Sequence, residues 1–249
     1  LCVGQATRIT EYLMDIPKAY RVRLKLGEET DTDDASGRVI GRHDVNRITE
    51  EQVRSALNLF LGEIQQVPPI FSAVRKNGRR LYEYARRGED VFPEPRAVTI
   101  YEIREVECHL PDVSLFVRCS RGTYIRSLCR DIGRALGIGA HMTWLRRTES
   151  ASFTEKDAYP LPEILAMNPD DVMALLIPMD IPLSHFTSVV VRSDRVQKIR
   201  HGQSLGPEDL AGMSDTWQTG RLSRIYGENG EFLSIGRLAR SRSGVPTVL

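Results

Sequence analysis

The chain has 249 residues, 41% hydrophobic and 27% charged, which is the composition of a globular protein long enough for one large domain or for a large and a small one. Its net charge of +1 argues against a generic polyanion binder. No apolar stretch approaches the roughly 18 residues that span a bilayer, so we expect no membrane association.

The first half of the sequence contains alternating and helical patterns. Tyr20, Val22, Leu24 and Leu26 alternate with basic residues and predict a half-buried strand. A capping box at Thr49 and Gln52 begins a helix that we expect to continue through Ile64 to Pro68-Pro69. A short strand over 70–74, a tight turn at Asn77-Gly78 and a short helix over 81–87 complete this half.

The second half predicts further strands around one long helix. A strand with a bulge over 98–106 and a regular strand over 113–119 precede a helix over 125–136 that Gly137 ends. Another strand covers 142–147, and a proline-rich connector then leads to a small β-rich module. Because strands outnumber helices and most are linked by hairpins, the pattern predicts an α+β fold with a mixed, largely antiparallel sheet flanked by helices.

Metal and covalent-nucleophile motifs are missing from the sequence. Its four cysteines form no C-x-x-C pair and have no histidine at zinc-ligand spacing, which indicates reduced thiols and no metal site. Asp31, Asp33 and Asp34 lie in a loop that we interpret as a turn rather than a cation site. Neither a phosphate-binding G-x-x-x-x-G-K-[ST] loop nor a G-x-S-x-G elbow occurs.

Basic residues are concentrated in two segments. Residues 118–147 carry seven arginines against the single acid Asp131, and residues 75–87 carry six basic side chains against Glu83. These segments are candidate phosphate-contacting surfaces. The alternative is a pair of solvated faces that are neutralised by acids elsewhere in the chain.

The segment Ser120 to Arg126 is the strongest candidate for a binding site. Gly122 makes a turn, Thr123 is expected to cap the following helix, and Tyr124 and Arg126 then lie near its first turn. The positive end of the helix dipole and the planar arginine fork both favour a carboxylate or phosphate. An exposed arginine beside a half-buried tyrosine is an equally good interpretation, and Tyr20 is either a core residue or a platform for an unpaired base.

Several ordered segments resemble one known family. They are Gly4 to Arg8, Lys18-Ala19-Tyr20, Thr30 to Asp34, Pro68 to Ala73, Arg80 to Ala85, Arg96 to Tyr101, Cys119 to Arg126, and Gly139 to Arg147. In this order and spacing they resemble the bacterial TruB-type tRNA pseudouridine-55 synthases. The similarity extends from Leu1 to about Met179 and continues weakly into a module that resembles the family's PUA-type domain.

The resemblance implies a pseudouridine synthase catalytic domain over residues 1–179 and a PUA-like RNA-binding domain over residues 180–249. It implies an enzyme that isomerises the uridine at position 55 in the T-stem-loop of tRNA, without a metal or organic cofactor. It also implies a cytoplasmic protein with tRNA as its partner, and we expect a monomer.

The resemblance also assigns roles to individual residues. Tyr20 matches the tyrosine that stacks on the target base and assists deprotonation at C5, so with Arg126 it is a predicted catalytic residue. Tyr20, Tyr124 and Leu145 match positions that bind the uridine, and Arg126 matches the arginine that pairs with a catalytic aspartate. From the basic segments we predict RNA-binding roles for Arg79, Arg80, Arg121, Arg146 and Arg147.

One motif of the family does not occur in the sequence. The nucleophilic aspartate belongs to the pattern G-[AT]-L-D-P-x-A-[TS]-G, which by comparison with the family falls before Leu1. None of Asp15, Asp31, Asp33, Asp34 and Asp131 lies in that pattern, so we expect these 249 residues alone to be inactive. Three explanations remain open: a piece of a longer enzyme, an altered start of the gene, or a noncatalytic RNA-binding or RNA-folding protein.

Overall fold

The computed structural model describes residues 1–214, 216–241 and 244–249. They form two compact units, one of residues 14–158 and one of residues 1–13 with 159–249. The first four helices are α1 (Thr10–Met14), α2 (Glu50–Asn58), α3 (Leu81–Arg86) and α4 (Ile125–Ala135). The first ten strands are β1 (Lys18–Leu26), β2 (Glu28–Thr30), β3 (Val39–Arg42), β4 (Gly62–Gln66), β5 (Arg75–Lys76), β6 (Arg79–Arg80), β7 (Arg96–His109), β8 (Asp112–Cys119), β9 (Ala140–Ser150) and β10 (Phe153–Thr154).

A six-stranded sheet in the order β10-β9-β1-β8-β7-β4 forms the centre of the unit of residues 14–158. Each strand pairs antiparallel with its neighbours. In β1, Val22, Leu24 and Leu26 are buried whereas Arg21 and Arg23 are exposed, so the predicted half-buried strand is confirmed. The predicted α+β fold with a largely antiparallel sheet is also confirmed.

Helices α2 and α4 cover the apolar face of this sheet. Val53 and Leu57 of α2 and Leu128 and Ile132 of α4 share one core with the buried residues of β1 and β8. Gly133 allows α4 to lie against the start of β9, because a Cβ atom at this position would come within 2.2 Å of the Ala140 backbone nitrogen. This close approach fixes the helix against the strand that follows it.

Two elements differ from their predicted form. The helix that begins with the Thr49 capping box ends at Asn58 rather than Ile64, and Ile64 belongs to β4. Gly62 adopts φ +88°, a left-handed conformation that separates the helix from the strand. Residues 70–74 are not a strand. The predicted Asn77-Gly78 turn, the short helix before Gly88 and the irregular register of β7 are confirmed.

The unit of residues 1–13 and 159–249 contains a second sheet of five strands, in the order β12-β11-β13-β14-β15. Its remaining elements are α5 (Leu161–Ala166), α6 (Pro169–Ala174), β11 (Thr187–Val191), α7 (Val196–Arg200), β12 (Leu210–Met213), β13 (Leu222–Gly227), β14 (Phe232–Arg240) and β15 (Pro246–Val248). Strands β11 and β13 pair parallel, and the other pairs are antiparallel. The small β-rich module is therefore present, and the domain boundary between residues 179 and 180 stays a prediction.

Within the described ranges, no helix is long and apolar enough to cross a membrane.

Candidate active site

The start of α4 lies at the end of the sheet where β1 begins. The last residue of β8, Cys119, is paired with Lys18, the first residue of β1. A turn with Gly122 at φ +80° then leads into α4. The predicted cap by Thr123 is wrong: the N-cap residue is Tyr124, and the Thr123 hydroxyl donates to the Ser120 carbonyl oxygen at 2.9 Å. Tyr124 and Arg126 therefore project from the beginning of this helix.

Tyr20 and Leu145 lie on the face of the sheet that α4 covers. Tyr20 is opposite Arg147 and Val22 is opposite Leu145, and residues paired directly across two strands point to the same face. Val22 belongs to the core that α4 covers, so Tyr20, Leu145 and Arg147 lie on the same face of the sheet as this helix. Leu145 is 39% exposed at this position. The structure therefore places Tyr20, Leu145 and Arg147 side by side on the α4 face of the sheet.

The Tyr20 phenol is half-buried. Burial raises the pKa of Tyr20 above the ordinary tyrosine value, although the nearby Arg147 guanidinium acts in the opposite direction. The Arg147 guanidinium carbon lies 5.8 Å from the centre of the Tyr20 ring, within the range of a cation–π contact. At neutral pH this tyrosine is uncharged and presents an aromatic surface.

Arg126 connects the start of α4 to two other segments. Its Nη1 donates to the Asp34 Oδ2 at 2.9 Å and to the Thr32 carbonyl oxygen at 3.3 Å, and its Nη2 donates to the Phe71 carbonyl oxygen at 3.0 Å. A guanidinium carries five N–H groups. Three are thus occupied, and among the described residues no hydrogen bond uses the Nε–H or the second N–H of Nη2. These two groups remain able to bind an anion.

Asp34 is the carboxylate that sequence reasoning did not connect with Arg126. Its Oδ1 accepts hydrogen bonds from the Thr32 hydroxyl and from the backbone N–H and hydroxyl of Ser36. Partial burial raises the pKa of Asp34, but the hydrogen bonds from Ser36 and Thr32 and the charge of Arg126 outweigh it, so the pKa lies below the ordinary aspartate value. With both oxygens engaged, this carboxylate is ionised and fixed, which suits it to orient Arg126 rather than to attack a substrate.

The loop that carries Asp34 is attached to α4 by a second arginine. Arg130, one turn further along the helix and 8% exposed, donates to the carboxylates of Asp33 and Asp131 and to the Val67 carbonyl oxygen, each at 2.9 Å. Burial raises the pKa of Asp33 against the opposing charge of Arg130. The loop also bonds to Met142 of β9, since the Ala35 N–H donates to the Met142 carbonyl oxygen. These contacts make the loop a turn that is attached to α4 and to β9.

The five arginines predicted to bind RNA differ in their partners. Arg79 contacts both carboxylate oxygens of Glu89, at 3.1 and 3.2 Å. Arg121 pairs with Asp15, and Arg146 pairs with Glu155 at 2.8 Å. Arg80 instead donates to the Tyr82 hydroxyl, and Arg147 lies over Tyr20.

Acids thus neutralise Arg79, Arg121 and Arg146, as the alternative interpretation of the basic segments proposed. Exposed ion pairs of this kind contribute only about 0–1 kcal/mol, so a phosphate is able to displace the carboxylate. The RNA-binding role of all five arginines stays a prediction.

Sequence profiles of two families match the chain. The profile described as TruB family pseudouridylate synthase (N terminal domain) matches residues 1–125, and that of the tRNA pseudouridylate synthase B C-terminal domain matches residues 126–184. Proteins named tRNA pseudouridine synthase B from Burkholderia mallei and Clostridium perfringens are 43% and 38% identical to the chain over 95% of its length. The matched regions cover 78% and 79% of those two proteins.

Two solved structures have a fold similar to that of this chain. A chain in the crystal structure of a Cbf5–Nop10–Gar1 complex superimposes with a TM-score of 0.71 at 27% identity. A chain of an H/ACA RNP bound to a substrate RNA containing 2′-deoxyuridine gives a TM-score of 0.69 at 24% identity, which supports the fold alone. Each match covers 97% of this chain and 65% of the solved chain.

Proposed function

We propose that this chain, which belongs to the TruB family of pseudouridylate synthases, isomerises the uridine at position 55 in the T-stem-loop of tRNA to pseudouridine. The observation that carries the proposal is that Tyr20 and Leu145 share the sheet face that α4 covers and that Tyr124 and Arg126 begin this helix, in a chain 43% identical to a tRNA pseudouridine synthase B. An aromatic platform, an apolar wall and an arginine fork together suit an unstacked uridine.

The reaction exchanges one bond of the base for another. The bond between N1 and C1′ breaks, the base rotates, and a bond forms between C5 and C1′. The proton leaves C5 and N1 ends protonated, so the composition of the nucleotide does not change. No electron acceptor is required, which is consistent with the expectation that the enzyme uses no cofactor.

Tyr20 serves best as the surface on which the uracil ring stacks. Its raised pKa keeps the phenol neutral at physiological pH, and a neutral phenol is a poor base for the C5 proton. The Arg147 guanidinium over the same ring opposes this effect but does not reverse it. These features support stacking more strongly than the predicted assistance to deprotonation.

Arg126 serves to hold the nucleophilic carboxylate that the family uses. Asp34 fixes one side of the guanidinium, and the unoccupied Nε–H and Nη2 N–H are suited to a second carboxylate. An aspartate beside this cation stays ionised, as a nucleophile must. Asp34 itself is not assigned this role, because three further donors already bind its other oxygen.

Binding of the tRNA is assigned to the basic side chains and to the C-terminal module. Arg80 and Arg147 have no carboxylate partner among the described contacts and are the first candidates to contact phosphates. We further propose that the C-terminal module is a PUA-like RNA-binding domain and that the enzyme works as a monomer in the cytoplasm.

The test is to incubate the complete gene product with T-stem-loop RNA and to analyse the nucleosides by chromatography. We expect one uridine per RNA to be converted, and none in an RNA that carries cytidine at the target position. Salt-sensitive binding of the T-stem-loop without any pseudouridine would instead support the noncatalytic RNA-binding protein.

A further inference from the structure

Strand β4 ends in a buried glutamine that binds the residue at the start of α4. Gln66 is 2% exposed. Its Nε2 donates to the Tyr124 carbonyl oxygen at 3.1 Å, and its Oε1 accepts from the Tyr124 backbone N–H at 2.8 Å. One side-chain amide thus satisfies both polar backbone groups of a residue 58 positions away. Such a two-way contact requires a donor and an acceptor on the same planar group, which the glutamine amide provides.

This contact takes the place of the missing helix cap. Tyr124 is the N-cap residue of α4, and its conformation (φ −96°, ψ 110°) is not helical. No side chain of the helix caps its N-terminus. The Tyr124 carbonyl oxygen also accepts the first helical hydrogen bond, from the Leu128 N–H at 3.0 Å. Gln66 therefore fixes the peptide groups on both sides of the Tyr124 Cα atom, and with them the direction in which its side chain leaves the backbone.

The seam between α4 and residues 66–71 contains other hydrogen bonds, but they act on different residues of the helix. The Ser127 hydroxyl donates to the Val67 carbonyl oxygen at 3.0 Å, and Arg126 donates to the Phe71 carbonyl oxygen. Ser127 is fully buried and helps to attach α4 to the segment after β4. Gln66 alone among these contacts holds the backbone of Tyr124.

We propose that Gln66 is a positioning residue for the isomerisation, whose amide holds Tyr124 against the uridine and keeps Arg126, two residues later, in register with Asp34. This inference rests on the proposed function, because Tyr124 is assigned to the uridine pocket there. Gln66 does not touch the substrate, and its effect is transmitted through the backbone of Tyr124.

Two substitutions of similar size separate the two halves of the contact. Gln66→Met removes the donor and the acceptor, whereas Gln66→Glu, once its carboxyl is ionised, keeps the acceptor for the Tyr124 N–H and loses the donor. Ser127→Ala is the matched control, since it removes a buried hydrogen bond from the same seam without affecting Tyr124. All three are compared with the wild type in the complete gene product on T-stem-loop RNA.

We expect Gln66→Met to lower kcat roughly tenfold or more while KM changes by less than about threefold, because positioning rather than RNA binding is lost. Gln66→Glu should lie between Gln66→Met and the wild type. Ser127→Ala should keep kcat within about twofold of the wild type, although its Tm should fall by about as much as that of Gln66→Met. In hydrogen-exchange measurements, the Tyr124 backbone amide should exchange faster in Gln66→Met than in the wild type, and at the wild-type rate in Ser127→Ala.

Wild-type kcat in Gln66→Met, or an equal loss of kcat in Ser127→Ala, would overturn the role of Gln66. If Gln66→Met does not fold, Gln66→Glu decides the matter at a pH at which its carboxyl is ionised, and wild-type kcat in that variant at that pH would overturn the proposal. A wild-type protein that makes no pseudouridine would overturn the proposed function itself, and that outcome differs from an active wild type with indifferent Gln66 variants.

Discussion

Replacing Arg126 by lysine keeps the positive charge and removes the planar fork. The Arg126 guanidinium donates to the Asp34 carboxylate and to the carbonyl oxygens of Thr32 and Phe71. A lysine ammonium is a compact group that is able to preserve about one of these contacts. Two hydrogen bonds from a charged donor are then lost, and at about 1.5 kcal/mol each this amounts to about 3 kcal/mol.

If this energy is used to orient Arg126 for the reaction, the change slows the chemical step about 100-fold. Single-turnover conversion of T-stem-loop RNA by the complete gene product measures this step, and equilibrium binding of the same RNA is measured in parallel. The dissociation constant should change by less than about threefold, because the charge is retained.

The matched control is Arg134→Lys on the same helix. Arg134 is mostly exposed, and its ion pair with Asp131 is long at 4.0 Å, so this variant should behave as the wild type. Equal losses of binding and turnover in Arg126→Lys would refute the reasoning, as would an unchanged single-turnover rate.

Three further predictions concern the anchor of Arg126, the RNA surface and the core. Asp34→Asn should lower kcat about tenfold. Because the pKa of Asp34 is lowered in the folded protein, its ionised carboxylate stabilises the fold above the unfolded pKa of about 3.9, and this stabilisation is lost as the pH falls through the folded pKa. The variant should therefore show a smaller fall in Tm below about pH 4 than the wild type. Glu89→Gln should release Arg79 and tighten T-stem-loop binding about twofold. Arg80→Ala should reduce the slope of log K for T-stem-loop binding against log salt by about one. A change in the opposite direction in either titration would contradict the assignment. Gly133→Ala should lower the free energy of unfolding by at least about 2 kcal/mol, because the added Cβ would overlap the Gly139–Ala140 peptide. Urea titration measures this change. Unchanged stability would show that α4 is able to move away from β9.

The elements that the sequence predicts well are those with short-range signals. The alternation of Val22, Leu24 and Leu26 predicts β1, and the Thr49 capping box predicts the start of α2. Asn77-Gly78 predicts its turn for the same reason, since each signal lies within a few neighbouring residues. The spacing of Phe60, Leu61 and Ile64 predicts a helix beyond Asn58, and this is wrong because the chain turns at Gly62.

The contacts that organise the site are long-range and could not be read from spacing. Arg126 and Asp34 are 92 residues apart, and Gln66 and Tyr124 are 58 residues apart. The helix-start pattern correctly drew attention to Arg126, but it suggested Thr123 as the cap. A cap supplied by Gln66 from another strand leaves no local signal, and the acids of the Asp31 to Asp34 loop indicated only a turn.

The assignment of Tyr20, Tyr124, Leu145 and Arg126 to one uridine site is tested most directly by mapping pseudouridine in a full-length tRNA transcript after incubation with the complete gene product. We expect modification at position 55 of the T-loop alone and its loss in Arg126→Lys at matched RNA binding. A tRNA that is bound but unmodified, or one modified equally by the wild type and by Arg126→Lys, would contradict it.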